Sequence, residues 1–166
     1  MSSTHVSPLS SPGGPLPENT RLVIIKTEWN AAVVDALETG CRRVLAGNHI
    51  QQVETIVVPG AVEIPFAIKA YWDAHRDHRA RPHAFIAFGC VVRGDTPHFE
   101  YVCQAVTQGI SNLNLQLPVP VIFGVLTVNT NEQAQERIGG THGHKGEEAA
   151  VTALKMISLQ LQFNQL

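Results

Sequence analysis

The chain has 166 residues, and its 12 Lys and Arg against 14 Asp and Glu leave a formal charge of −2, which argues against nucleic acid as its main partner. A hydrophobic fraction of 44% with 16% charged residues suits one soluble domain with a real core. No apolar run reaches transmembrane length, and the N-terminus lacks a basic stretch followed by a continuous apolar one, so no membrane partner is expected and the cytoplasm is the expected compartment.

Residues 1–19 are rich in Ser, Pro and Gly (Ser11-Pro12-Gly13-Gly14-Pro15), a composition that buries too little surface to offset its ordering entropy, so a flexible tail is expected before a domain over 20–166. From Arg21 the pattern alternates. Short, mostly β-branched runs at Leu22–Ile25, Val53–Val58, Ala84–Val92 and Val119–Leu126 predict four buried strands. Helical spacing runs first through Val34, Leu37, Cys41, Val44 and Leu45, then through Ile64, Ile68, Tyr71 and Trp72. A third helix begins near Pro97, a good first-turn proline, and carries Phe99, Val102, Val106, Ile110 and Leu113. A short helical piece over Asn131–Ile138, a Gly-rich link over 139–144, and a last helix through Ala150, Ala153, Leu154, Ile157 and Leu161 complete the chain. Strands alternating with helices predict an α/β three-layer, flavodoxin-like sandwich. Its four-stranded parallel sheet is covered by helices on both faces, with ligands beyond the carboxyl ends of the strands.

Residues 89–101, Gly-Cys-Val-Val-Arg-Gly-Asp-Thr-Pro-His-Phe-Glu-Tyr, form the most informative joint, a strand, a polar turn and a helix start. Free N–H groups at a helix N-terminus suit a phosphate, and a histidine one turn inside can move protons beside it. The pairing points to a small phosphorylated substrate. The three cysteines, Cys41, Cys90 and Cys103, form no CxxC pair and fit buried thiols of a reducing compartment; Cys90, near the loop, is a minor nucleophile candidate.

Other strand ends carry candidates with two readings each. Glu63, in Pro59-Gly60-Ala61-Val62-Glu63-Ile64-Pro65, either favours the helix dipole or offers a carboxylate to a polar ring. Trp29 is either packing or a stacking platform. Arg137 and Lys145 flank the Gly-rich link, and Arg137 is either a bidentate phosphate clamp or a helix C-terminal dipole partner. His142 and His144 with His98 lack the ligand spacing of a zinc site, so no metal is expected.

Taken in order, these motifs resemble the lumazine synthases of riboflavin biosynthesis from about Arg21 to Leu159. The resemblance rests on Glu28-Trp29-Asn30, on 58–65, on 89–99, on Pro118-Val119-Pro120-Val121-Ile122-Phe123-Gly124-Val125-Leu126-Thr127, on Glu136-Arg137 and on His144-Lys145-Gly146. It implies condensation of a ribitylaminouracil with dihydroxybutanone phosphate, with no redox cofactor or metal. It further implies that Trp29 stacks on the pyrimidine, that Ala61, Val62 and Glu63 contact its ring and ribityl chain, and that Cys90, Val91 and Val92 lie beneath it. Asp95 and Thr96 match the phosphate loop, and His98 the proton-transfer residue. Phe123, Arg137 and Lys145 match residues that the family supplies from an adjacent subunit, Arg137 as the phosphate clamp. Self-association as a pentamer or a pentamer-based shell is therefore implied.

Three positions depart from the family pattern. Glu28 stands where arginine is frequent, Asp95 where a small neutral residue is usual, and Val62 where an aromatic is common. A carboxylate beside a dianion repels it unless it points away or accepts a hydrogen bond. Two competing functions follow: a low-activity ribityllumazine- or flavin-binding or shell-forming homologue, supported by Glu28 and Asp95, and an FMN-binding protein, suggested by fold alone.

Overall fold

In the computed structural model, which describes residues 16–164, strand β1 (Arg21–Thr27) is apolar on both faces, and this decides the architecture. Leu22 and Ile24 face a cluster with helices α1 (Ala31–Gly47) and α5 (Lys145–Phe163), including Val34, Leu37, Cys41, Ala150, Ala153 and Leu154. Val23 and Ile25 face the other way. They join helices α2 (Ile64–His75) and α3 (His98–Gln116) through Ile64, Ile68, Val106 and Ile110. A strand buried on both faces is the mark of a parallel sheet between helical layers.

The sheet is indeed parallel, in the order β2-β1-β3-β4, with β2 at Gln52–Val58, β3 at Ala84–Val92 and β4 at Val121–Val128. The three-layer α/β sandwich matches the expectation from sequence. Two strands differ in detail. β2 is an edge and only half buried, with Val57 51% exposed, because a single neighbour covers it. β4 starts at Val121 rather than Val119, since Pro120 has no N–H for the ladder and only its carbonyl pairs, accepting from the Phe85 amide at 2.9 Å.

A partly buried charge network ties α1 to β1 and the β2 edge. Lys26 Nζ lies 2.6 Å from Glu38 Oε2 and 2.8 Å from Asp35 Oδ1. Arg42 reaches Glu38 Oε1 at 2.7 Å and donates to Thr55 Oγ1 at 2.6 Å, while Thr55 donates to Glu38 at 2.6 Å. Burial by itself would raise the Glu38 carboxyl, yet the hydrogen bonds from Lys26, Thr55 and Arg42 outweigh it and hold the group down at about 2.

The region after β4 is more ordered than its composition suggests. Helix α4 spans only Asn131–Gln135, with the Thr130 hydroxyl accepting from the Gln133 amide at 3.3 Å. The Gly-rich link then forms a small antiparallel ribbon, β5 (Ile138–Gly140) with β6 (Gly143–His144). Gly139 and Gly143 hold φ of 115° and 75°, a region that side chains disfavour, which is why the ribbon needs them. Gly146, at the start of α5, lies against the Leu37 carbonyl of α1, where a Cβ would collide with that oxygen.

Within the described residues the expected tail is represented by 16–19. Leu16 packs against the α1–α5 cluster, and the Pro17 carbonyl accepts from the Thr20 amide and hydroxyl at 2.9 and 2.6 Å. Among the described residues no helix is long and apolar enough to cross a membrane.

Candidate active site

β1 pairs with β3 only as far as Lys26 opposite Phe88, whereas β3 pairs with β4 out to Val92 opposite Val128. Beyond Phe88 the β1 side of β3 is therefore open. This is also where the chain order reverses, since β1 leads to β2 on one side and the chain returns to β3 on the other. Such a switch point leaves a crevice beyond the strand ends. Here it has a volume of about 510 Å³.

Three loops build its walls. Thr27 ends β1 with its hydroxyl donating to the Trp29 carbonyl at 3.1 Å, and the Trp29 amide donates to the Pro59 carbonyl at 3.4 Å. The indole is left 74% exposed at the rim, a position that offers a flat apolar surface to a ligand. Across from it, Ala61–Glu63 forms one 3-10 turn that runs into α2, and Gly60 lets the Glu63 carboxylate and the Trp29 ring converge: a Cβ there would lie 3.0 Å from Glu63 Oε2 and 3.7 Å from Trp29 Cδ1. The end of β3 supplies Cys90, Val91 and Val92 as a mostly apolar floor. Burial pushes the Cys90 thiol up to about 11, which disfavours the thiolate that a nucleophile needs.

His98 opens α3 and lines the same crevice, with its side chain exposed. Asp95 and Thr96 are exposed on the loop between β3 and α3. Arg93 is occupied beside them. Its Nε donates to Asn129 Oδ1 at 2.9 Å, its guanidinium pairs with Glu100 and stacks 4.2 Å from the Phe99 ring centre, and the pairing holds the Glu100 carboxyl below its usual range.

The remaining three predicted residues lie elsewhere. Phe123, on the outer edge strand β4, and Lys145, at the start of α5, line a second depression of about 490 Å³ with Glu148, Thr152 and Met156. Lys145 Nζ donates to both Glu148 carboxylate oxygens at 2.8 and 2.9 Å. Arg137 follows α4, with its guanidinium donating to the Gln133 carbonyl at 2.7 Å. The structure thus brings Trp29, Ala61, Val62, Glu63, Cys90, Val91, Val92 and His98 together, and leaves Asp95 and Thr96 on the adjoining loop and Phe123, Arg137 and Lys145 elsewhere, all five outside the crevice lining. None of the residues lining the crevice is Lys or Arg, and one is a glutamate.

A family model described as 6,7-dimethyl-8-ribityllumazine synthase matches residues 19–160. The chain belongs to the 6,7-dimethyl-8-ribityllumazine synthase family. It is similar to the curated synthase of that name from Porphyromonas gingivalis, 48% identical over 148 residues, which span 88% of this chain and 89% of the relative. A synthase from Xanthomonas campestris pv. campestris is 47% identical over 86% of this chain and 91% of its own length. One from Stenotrophomonas maltophilia is 43% identical over 86% and 90%. The matched stretch contains every strand and both depressions.

Sequence reasoning assigned no site role to Thr27, Asn30, Gly60 and Val102, which also line the crevice. Asn30 had a usable signal, an asparagine between a strand end and a helical pattern, where a left-handed residue is often needed.

Proposed function

We propose that this chain condenses 5-amino-6-(D-ribitylamino)uracil with 3,4-dihydroxy-2-butanone 4-phosphate to 6,7-dimethyl-8-ribityllumazine, inorganic phosphate and water. In this scheme the pyrimidine lies in the crevice, stacked on Trp29, with its polar edge toward Glu63 and its face on Cys90, Val91 and Val92. Its ring amine attacks the ketone of the second substrate, whose phosphate rests near Asp95 and Thr96. Water leaves as the imine forms, phosphate is eliminated, and the ribitylamino nitrogen closes the second ring with loss of a further water. His98 donates and accepts the protons of these steps. Holding the two substrates in register supplies most of the acceleration, roughly 7–11 kcal/mol in well-aligned cases. Proton transfer by His98 adds about 10²–10⁴-fold.

The observation that carries the scheme is the charge of the crevice. Its lining offers a stacking surface, hydrogen-bonding groups and an imidazole, but no Lys or Arg to balance a phosphate dianion. Lys145 lies in the depression beside β4 instead, and the Arg137 carbonyl accepts from its amide at 2.8 Å. A neighbouring copy that presents its Phe123, Arg137 and Lys145 to this crevice would supply the missing cation. We therefore propose a cytoplasmic homo-oligomer, a pentamer or a shell of pentamers, with each site shared by two subunits.

Incubating the purified protein with both substrates tests the reaction. Fluorescent lumazine forming only when both are present, together with released phosphate, is the expected result. Tight binding of ribityllumazine without turnover would contradict it.

A further inference from the structure

We propose that Asn30 is a positioning residue for the pyrimidine half-site, acting by fixing Trp29 relative to the end of β3. The inference rests on the proposed reaction and deepens it.

The amides of Phe85 and Arg93 donate toward β4, to the Pro120 and Val128 carbonyls, both at 2.9 Å. By strand alternation the even-numbered residues of β3 therefore direct N–H and C=O toward β1. At Cys90 that side has no strand partner, because the β1–β3 ladder stops at Phe88. The Cys90 carbonyl is met instead by Asn30, whose Nδ2 donates to it at 2.6 Å across 60 residues of sequence. One side chain takes the place that a continued β1 would have filled.

The backbone of Asn30 does a second job. It holds φ 57° and ψ 41°, in the left-handed region, and turns the chain out of the sheet and into α1, with its carbonyl accepting from the Val33 and Val34 amides at 3.0 and 3.1 Å. Asparagine is among the few residues with a side chain that enter this region readily. Trp29 sits between these constraints. Its own backbone is tied to Thr27 and Pro59, and its successor is tied to Cys90. The indole at the rim and the apolar floor at Cys90, Val91 and Val92 are thereby held at a fixed separation, which a flat ring between them requires.

Asn30→Gly keeps the backbone conformation and removes the amide; Asn30→Asp also suits the left-handed region but sets a carboxylate against the Cys90 carbonyl. Binding of 5-amino-6-(D-ribitylamino)uracil to the assembled protein is measured by calorimetry, so the result does not depend on turnover. Loss of one neutral hydrogen bond should weaken binding about three- to tenfold in Asn30→Gly, and Asn30→Asp should weaken it further. Binding of inorganic phosphate should stay within about twofold of the wild type, because the phosphate site does not use this tie. In a Trp29→Ala background the Asn30→Gly penalty should fall below about twofold, since Asn30 acts through the indole. Unchanged pyrimidine binding in both variants, equal losses for pyrimidine and phosphate, or a penalty undiminished without Trp29 would each overturn the assignment. Wild-type protein that fails to bind the ribitylaminouracil at all would overturn the proposed substrate and this role together.

Discussion

The Lys145 amide donates to the Arg137 carbonyl at 2.8 Å, so the arginine expected to clamp phosphate and the lysine expected beside it in a shared site are joined through the backbone across the Gly-rich ribbon. Their spacing is set by main chain rather than by flexible side chains. Neither belongs to the crevice that holds Trp29 and His98. The half-sites should therefore fail separately when mutated.

Arg137→Ala should raise the KM for the phosphorylated substrate about 10- to 100-fold, the worth of a charge-assisted hydrogen bond. Trp29→Ala should raise the KM for the pyrimidine by up to about tenfold, in line with one stacking contact. Steady-state kinetics with each substrate varied in turn separates the two. Equal increases in both constants for either variant would break the half-site assignment.

His98→Ala should slow turnover by no more than about 10²–10⁴-fold and leave measurable activity, because holding the substrates together outweighs proton transfer. Asp95→Ala should bind the phosphorylated substrate equally or more tightly at low salt, with the difference shrinking at high salt as screening removes the repulsion. A salt-insensitive loss of binding in Asp95→Ala would mean that the carboxylate shapes its loop instead.

Glu38 gives stability a defined dependence on acidity. Its folded-state value of about 2 lies below the ordinary 4.5, so its contribution is complete above pH 4.5 and is lost as the pH falls from there toward about 2. The shift corresponds to at most about 3 kcal/mol, for a side chain only 12% exposed. Denaturation midpoints of the wild type and Glu38→Gln should converge across that window. A constant gap from neutral pH to pH 2 would show that the network stabilises by packing alone.

Glycines at helix contacts offer a test of the fold itself. Gly146→Ala should destabilise by about 1–3 kcal/mol, because the new methyl meets the Leu37 carbonyl. Gly47→Ala, in open space at the end of α1, should be neutral or stabilise by up to about 1 kcal/mol. Thermal melts that rank the two in the opposite order would contradict the α1–α5 packing.

Much of this fold was legible because Leu22–Ile25 of β1 and Ala84–Val92 of β3 are runs without charged or strongly polar residues, a pattern that a sheet covered on both faces rewards. The crevice was legible too, since its residues follow strand ends. The half-buried state of β2 was not, because sheet order depends on crossovers that leave no mark in a strand's own composition. The ribbon at 138–144 escaped for a different reason: strands of two and three residues are too short to show a period. The role of Asn30 escaped because its partner, the Cys90 carbonyl, is identical in every residue type.

The sharing of each site between two copies is tested most directly by mixing two impaired subunits at a concentration of the phosphorylated substrate well below the KM of the Arg137→Ala variant. Co-assembled His98→Ala and Arg137→Ala chains in equal amounts should regain up to about a quarter of wild-type activity, the fraction of random subunit pairs in which one chain brings an intact His98 and its neighbour an intact Arg137. Mixed oligomers verified by native mass spectrometry that show no more activity than either variant alone would contradict the shared site.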